Sequence, residues 1–290
     1  MAIPPLKQNF QDWITQQWVI LFGKKINELE HQWLVGPFGN REGIGLNFMH
    51  QLAEKEQLII ERNSRVKGLI QSIRQLNLTQ DELNVLSKEV IDFYEKTSQY
   101  DFDLKVTWNP FFKGLGRLLR ILFSNRIEQL NIPIENSKDS KALTSEIIHL
   151  IDPKSHEIKR AIWLRTFTKT SQVVYSGIYE TCVIPSGKTC IKAIFPLPNG
   201  NATVILSPSV EKNGALILTS SGKQLGDSGF YFLLHDSKGN LWTKFVKSFK
   251  DTLVVSVQND EILAEQTLTL WNFKVLKFEY LISKKHQSVQ

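Results

Sequence analysis

Residues able to do chemistry are few in this chain, and their spacing decides what they could do. Gly226-Asp227-Ser228-Gly229 has the form of a loop that presents a serine nucleophile. Such a serine needs a histidine base within hydrogen-bond reach and a carboxylate behind that histidine. None of the six histidines (His31, His50, His149, His156, His235, His286) sits in a segment suited to that role, so the tetrapeptide reads as a turn between two strands. Nor do any two histidines stand at helical or strand spacing that would present a pair of ligands to one metal ion, so no metal and no cofactor is expected. Gly39, Gly43 and Gly45 lack the preceding strand of a phosphate loop. Glu180, Asp227 and Glu265 are candidate acids by position alone, within or beside strands. An enzyme is therefore less expected than a binding protein, with a hydrolase or cyclase of unrecognised site as the remotest alternative.

Binding chemistry is better represented. Arg165, Tyr175, Tyr179 and His235 lie in strand-like segments and could point into an enclosed sheet. Asn199 and Asn201 flank the turn of Pro196-Leu-Pro-Asn-Gly-Asn201, where they could make polar contacts at a rim. Lys113, Arg117 and Arg120 share one face of a segment whose other face carries Phe111, Leu115, Leu118, Leu119 and Leu122. A cationic amphipathic helix of this kind docks on an anionic membrane or a partner protein, or simply turns its charges to water while packing on a sheet.

Periodicity indicates the elements that must position these residues. Up to about Gln99 the pattern is helical: Ile14, Trp18, Leu21, Phe22, Ile26 and Leu29 form one face, and Phe48, Leu52 and Leu58–Ile60 suggest a second helix. The third opens with a capping box at Thr79-Gln-Asp-Glu82 and continues through Leu83, Leu86, Val90, Phe93 and Tyr94. At Tyr100 the period changes to two. Tyr100, Phe102, Leu104, Val106 and Trp108 alternate with Asp101, Asp103, Lys105 and Thr107, a strand with one face in water. Beyond the amphipathic helix at 111–130, strands are predicted near 146–151, 158–167, 172–183, 189–195, 202–207, 215–220, 229–235, 241–246, 253–257, 263–271 and 274–282. Their separators, PSGK, PNGN, EKNG, GDSG, DSKGN and QNDE, have turn composition. In the turn at Pro198, Asn199-Gly200 should supply the positive backbone angles, with Pro196 and Pro198 ending the pairing before it.

So many short antiparallel strands leave exposed edges unless the sheet curls or closes. The expected fold class is α+β: N-terminal helices followed by a large curved or barrel-like antiparallel β-sheet. The expected division is a helical region 1–99, a β-rich domain 100–283 containing the 111–130 helix, and a flexible tail 284–290.

Composition bounds the setting. Of the 290 residues 42% are hydrophobic and 22% charged, which suits a folded chain with a substantial core. The net charge of +6 is spread out, with no run of Lys/Arg longer than two, so no nucleic-acid partner is expected. The amino terminus lacks a signal-peptide pattern, and the longest apolar runs are too short to span a bilayer. Two cysteines, Cys182 and Cys190, do not make a disulfide framework, though they lie where a hairpin could pair them. A reduced, cytoplasmic setting is the expectation.

Several segments together are distinctive: DFYEKTSQYDFDLKVTWNPFF from Asp92, LFSNRIEQLNIP, AIWLRTF, VVYSGIY, AIFPLPNGNATVILSP, LILTSSG, GDSGFYFLL and LTLWNFKVLKFEYLI, with HQWLVGPFG upstream. In these the chain is similar to the soluble C-terminal region of YndJ-like proteins, an uncharacterised bacterial family. The resemblance implies no activity and carries over no functional residue. YndJ-like proteins have membrane-spanning segments ahead of this region; the absence of any here implies a free-standing form. The leading expectation is a non-enzymatic protein binding a small hydrophobic molecule or lipid in the β-rich domain; the alternative is a membrane- or protein-docking module using the 111–130 helix.

Overall fold

In the computed structural model, which describes residues 10–39, 46–62, 66–112, 141–169 and 173–285, the period-two stretch from Tyr100 forms strand β3 (Tyr100–Trp108). Its five large apolar residues are buried while Asp101, Asp103, Lys105 and Thr107 face outward. Preceding it are α1 (Phe10–Phe22), β1 (Lys24–Lys25), α2 (Leu46–Glu56), β2 (Ile59–Glu61), α3 (Gln80–Val85) and α4 (Lys88–Glu95). Following it are β4 (Lys141–Ile151), β5 (Ile158–Phe167), β6 (Val173–Val183), β7 (Thr189–Leu197), β8 (Gly200–Val210) and β9 (Leu216–Thr219). The chain continues through β10 (Gly229–His235), β11 (Leu241–Phe245), β12 (Phe249–Gln258), β13 (Glu261–Leu270) and β14 (Phe273–Lys284).

The sheet closes. Ten strands run β8-β7-β6-β5-β4-β3-β14-β13-β12-β9, and β9 pairs back onto β8, making an antiparallel barrel. Closure depends on a fork in β8. Its first half, Gly200–Ile205, pairs with β10, and its second half, Ser207–Val210, pairs with β9. β10, β11 and β1 thus leave the barrel as a separate flap. β4 forks likewise, pairing with β3 through Leu143 and with β2 through His149–Ile151. The curved antiparallel sheet expected from the strand inventory is present, with its edge problem removed by closure.

One apolar cluster fills the interior, drawing on Phe102, Leu104, Ile147, Trp163, Ile191, Leu206, Val255 and Phe278 from the wall. Ile73, Leu76, Val90 and Phe93, from the segment that precedes β3, belong to the same cluster. Outward-facing residues of β3, β13 and β14 form ion pairs instead, Lys105 with Glu279 at 3.7 Å and Lys277 with Glu265 at 2.7 Å. An apolar interior under a charged wall is the reverse of a barrel that spans a bilayer. Among the described residues no helix is long and apolar enough to cross a membrane.

The outer faces of β4 to β8 are covered. α2 lays Phe48, Met49 and Leu52 on Ile148, Ile162, Ile178 and Ile194. Beyond β1, residues 26–39 cross the wall as a strap, with Ile26 and Leu34 packed against Cys182, Cys190, Ile205 and Leu233. Each such aliphatic side chain contributes about 1.5–3 kcal/mol by leaving water.

Helix ends differ from the periodicity. α1 stops at Phe22 because Lys24–Lys25 pair with β11. α2 stops at Glu56, where Gln57 takes φ 55°, and Ile59–Glu61 then join β4 as strand rather than extending the helix. The capping box is formed: Glu82 N donates to Thr79 Oγ1 at 3.2 Å and Thr79 N to Glu82 Oε2 at 2.9 Å. The predicted third helix breaks into α3 and α4 where Ser87 N donates to the Gly214 carbonyl in the β8–β9 turn. Of the 111–130 helix, Pro110–Phe112 form a single 3-10 turn and the rest lies outside the described residues.

The β7–β8 turn also differs. Asn199 takes φ 57°, but Gly200 does not adopt a positive angle. Its small size matters instead, since a Cβ there would lie 2.2 Å from the Leu233 carbonyl oxygen. Pairing continues through Pro196, opposite Asn201, so the proline does not end the ladder.

Candidate functional site

Three charged residues stand side by side on the outer face of the barrel. Glu180 of β6 lies opposite Lys192 of β7, and Arg160 of β5 sits one residue beyond the Ala161–Tyr179 pair. Alternation along each strand puts them in rows with Ile162, Ile178 and Ile194, which α2 buries. Arg160 grips Glu56 of α2 with two parallel bonds, Nε to Oε2 at 2.8 Å and Nη2 to Oε1 at 3.0 Å, and bonds Glu180 through Nη1. Lys192, only 2% exposed, pairs with the other Glu180 oxygen and donates from Nζ to the Val35 carbonyl at 2.8 Å. Glu56–Arg160–Glu180–Lys192 is therefore an alternating, neutral chain of charges, the arrangement that makes burial of ions tolerable. Burial draws the Arg160 pKa down, but Glu180 and Glu56 together hold it above its ordinary value.

This chain of charges separates two cavities. One, of about 580 Å³, lies at the barrel mouth between the strap and the segment entering at Gly68, with Trp33, Leu69, Ile70 and Tyr179 beside Arg160, Glu180 and Lys192. The other, about 320 Å³, lies across Arg160 and is bounded by Phe38, Phe48, Glu56 and His235. At the first cavity His149 places Nε2 2.9 Å from the Gly68 carbonyl oxygen. Burial pushes its pKa down against that hydrogen bond, so the ring is neutral with the proton on Nε2. A largely polar lining with a few aromatic and aliphatic side chains suits the holding of a ligand with a polar head.

The predicted site residues are divided by the fold. Tyr179 lines the larger cavity and sets its ring 5.7 Å from Trp163. Arg165 points into the barrel, 6% exposed, with its guanidinium 4.3 Å from the Trp163 ring centre and 5.5 Å from that of Tyr280. Tyr175 pairs with Arg165 through the backbone; its side chain lies outside the described residues. His235 borders the smaller cavity, its ring 4.9 Å from Phe38. Asn199 serves the turn, donating its amide to the Gly39 carbonyl and accepting from His235 N. Asn201 is fully buried, with Nδ2 reaching the Gly36 and Pro37 carbonyls and Oδ1 accepting from Thr203. It ties the strap to β8. Lys113, Arg117 and Arg120 lie outside the described residues.

At Gly226–Gly229 Asp227 Oδ2 accepts from the amides of Lys223 and Gln224, while Tyr231 Oη donates to the Asp227 carbonyl. A Cβ on Gly229 would meet the Phe245 ring at 2.3 Å. The tetrapeptide is a turn with a close packing demand. Among the described residues no group of three metal-ligating side chains converges.

Arg160 and Lys192 escaped sequence reasoning, His149 was weighed only as a catalytic base or metal ligand, and Glu180 drew notice only for its place in a strand. A signal existed: Ile178-Glu180-Cys182 and Cys190-Lys192-Ile194 each put a single charge in an otherwise apolar row. An apolar row on both faces of a strand marks a covered wall, and a charge inside it needs a partner.

Over 232 residues the sequence is 26% identical to the uncharacterized membrane protein YndJ of Bacillus subtilis strain 168, a match covering 79% of this chain and 40% of that protein. The chain is thus distantly similar to YndJ and spans well under half of its length. No protein-family model matches, and no solved structure matches.

Proposed function

We propose that the protein is a non-enzymatic binding protein that takes a small hydrophobic or amphiphilic molecule, such as a lipid fragment, at the mouth of its barrel. The observation that carries this is the 580 Å³ cavity itself, whose largely polar lining, with Arg160, Glu180 and Lys192, also includes Trp33, Leu69, Ile70 and Tyr179. Apolar surface there would take an alkyl or ring portion, and the charged side would orient a polar head. The mouth suits a ligand better than the lumen, where wall residues and the segment before β3 share one apolar cluster. Similarity to a protein described as a membrane protein favours a lipid-derived ligand. Cys182 and Cys190 lie directly opposite each other in the β6–β7 hairpin, and a reducing, cytoplasmic setting would keep them as thiols.

Native mass spectrometry and solvent extraction of the purified chain test the reading. A co-purifying small amphiphile, or saturable uptake of fatty acids or lysolipids weakened about tenfold by Tyr179→Ala, supports it. A chain that carries nothing and takes up no member of such a panel removes it.

A further inference from the structure

At the barrel end remote from the β8–β9 turn, the β13–β14 hairpin places large aromatic residues in water. Trp271 is 65% exposed and Phe273 62%, and Phe111 in the adjoining 3-10 turn is 95% exposed. The three are held as one tip. Asn109 donates its amide to the Val275 carbonyl and its side-chain Nδ2 to the Lys274 carbonyl, and the rings of Phe112 and Phe273 stand 6.2 Å apart. Trp271 N donates to the Ser248 carbonyl, which adds the start of β12.

The tryptophan is not explained by the turn. Trp271 and Asn272 form a two-residue hairpin loop with φ 49° and 66°. Both angles lie in the left-handed region, where Asn and Gly are favoured and a bulky residue is uncommon. Asn272 obeys that preference and accepts from Lys250 Nζ at 3.1 Å. Trp271 violates it and buries little in return. A strained aromatic residue that faces solvent among the described residues points to a partner beyond them.

Charge identifies that partner. Segments 109–112, 247–250 and 269–275, which make the tip, contain Lys247, Lys250 and Lys274 and no acidic residue. Exposed Trp and Phe ringed by lysines match the interfacial zone of a bilayer, where amphipathic rings sit at the headgroups and cations meet anionic lipid.

We propose that this aromatic, lysine-flanked tip docks the protein on an anionic lipid bilayer. The docking surface is independent of the cavity at the barrel mouth. Phe111, Trp271 and Phe273 enter the headgroup layer, and Lys247, Lys250 and Lys274 contact lipid phosphates or carboxylates.

Co-sedimentation of the full chain with phosphatidylcholine vesicles, with and without phosphatidylserine, tests it, alongside tryptophan quenching by bromolipids in the same vesicles. The expected result is binding that requires phosphatidylserine and falls with salt. Phe111→Ser with Phe273→Ser should weaken it at least about tenfold, and Lys250→Glu with Lys274→Glu roughly fivefold or more per lysine. Trp271→Phe keeps an aromatic ring, so binding should persist while bromolipid quenching is lost. Unchanged thermal midpoints confirm folding of these surface variants. No vesicle binding, equal binding to neutral vesicles, binding untouched by the serine variants, or quenching that survives Trp271→Phe overturns the proposal. So does a concentration-dependent dimer that uses the same residues without any vesicle binding.

Discussion

Lys192 Nζ lies 2.8 Å from the Val35 carbonyl oxygen, joining the outer face of β7 to the strap that crosses it. A nearly water-free ammonium is held there only because Glu180 neutralises it, and Glu180 is shared with Arg160. Glu180→Gln should therefore cost about 3 kcal/mol, since it strands a buried lysine. Urea unfolding measures this. In a double-mutant cycle the Lys192→Met change should cost clearly less on the Glu180→Gln background than on wild type.

Asp251 governs a pH dependence from inside the barrel. Burial raises its pKa to about 7, against a hydrogen bond from Gln266 Nε2 at 2.7 Å. Oδ1 has no hydrogen-bond partner among the described residues. The folded state thus keeps a proton that the unfolded chain releases near pH 4. This contribution is full below that pH, declines between about pH 4 and 7, and is absent above. Asp251→Asn should flatten the decline and make the variant more stable than wild type at pH 8, by at most roughly 4 kcal/mol. Thermal unfolding across pH 4–8 checks it; parallel curves for the two proteins would rule it out.

Asp92 behaves in the opposite sense. Burial opposes its ionisation, but hydrogen bonds from Lys96, Tyr100 and Lys284 prevail and hold its pKa at about 2. Its contribution is present above about pH 4 and is lost as pH falls toward 2. Tyr100 Oη donates to Asp92 Oδ2 at 2.7 Å, so Tyr100→Phe should cost about 1.5–3 kcal/mol at pH 7 and much less at pH 2.5. Denaturant titrations at the two pH values distinguish this from a simple packing loss, which would cost the same at both.

Gly200 opens β8, where it pairs with Leu234 of the flap strand β10. Gly200→Ala would drive a methyl group into the Leu233 carbonyl and should cost about 1–3 kcal/mol. The loss should be local. Amide exchange ought to quicken across β10 and β11 while the β12–β13 ladder stays protected; uniform quickening would contradict the separate-flap arrangement.

Much of the wall was legible. Predicted strands 158–167 and 229–235 coincide with β5 of the barrel and β10 of the flap, and the remaining barrel strands shift mainly by longer ends, because alternation and turn chemistry act over a few residues. The helices were less so. α3 and α4 divide at a contact with Gly214, more than 120 residues away in sequence, and the end of α2 is claimed by β4. The site was the least legible part: Arg165 and Tyr179 could be picked as residues able to point inward, but no local pattern singled out Arg160, whose partner Glu56 lies 104 residues away.

The sequence by itself determined which segments become the barrel strands, if not their ends, and that the sheet must curl to hide its edges. The tertiary structure decided where the sheet closes, through the fork of β8, and which outward charges lose their water. Arg160 meets Glu56 across 104 residues of chain, and Asn201 meets Gly36 across 165. Local periodicity reports the face a side chain takes, whereas burial of that face depends on a distant segment crossing it, and no short-range pattern encodes that crossing.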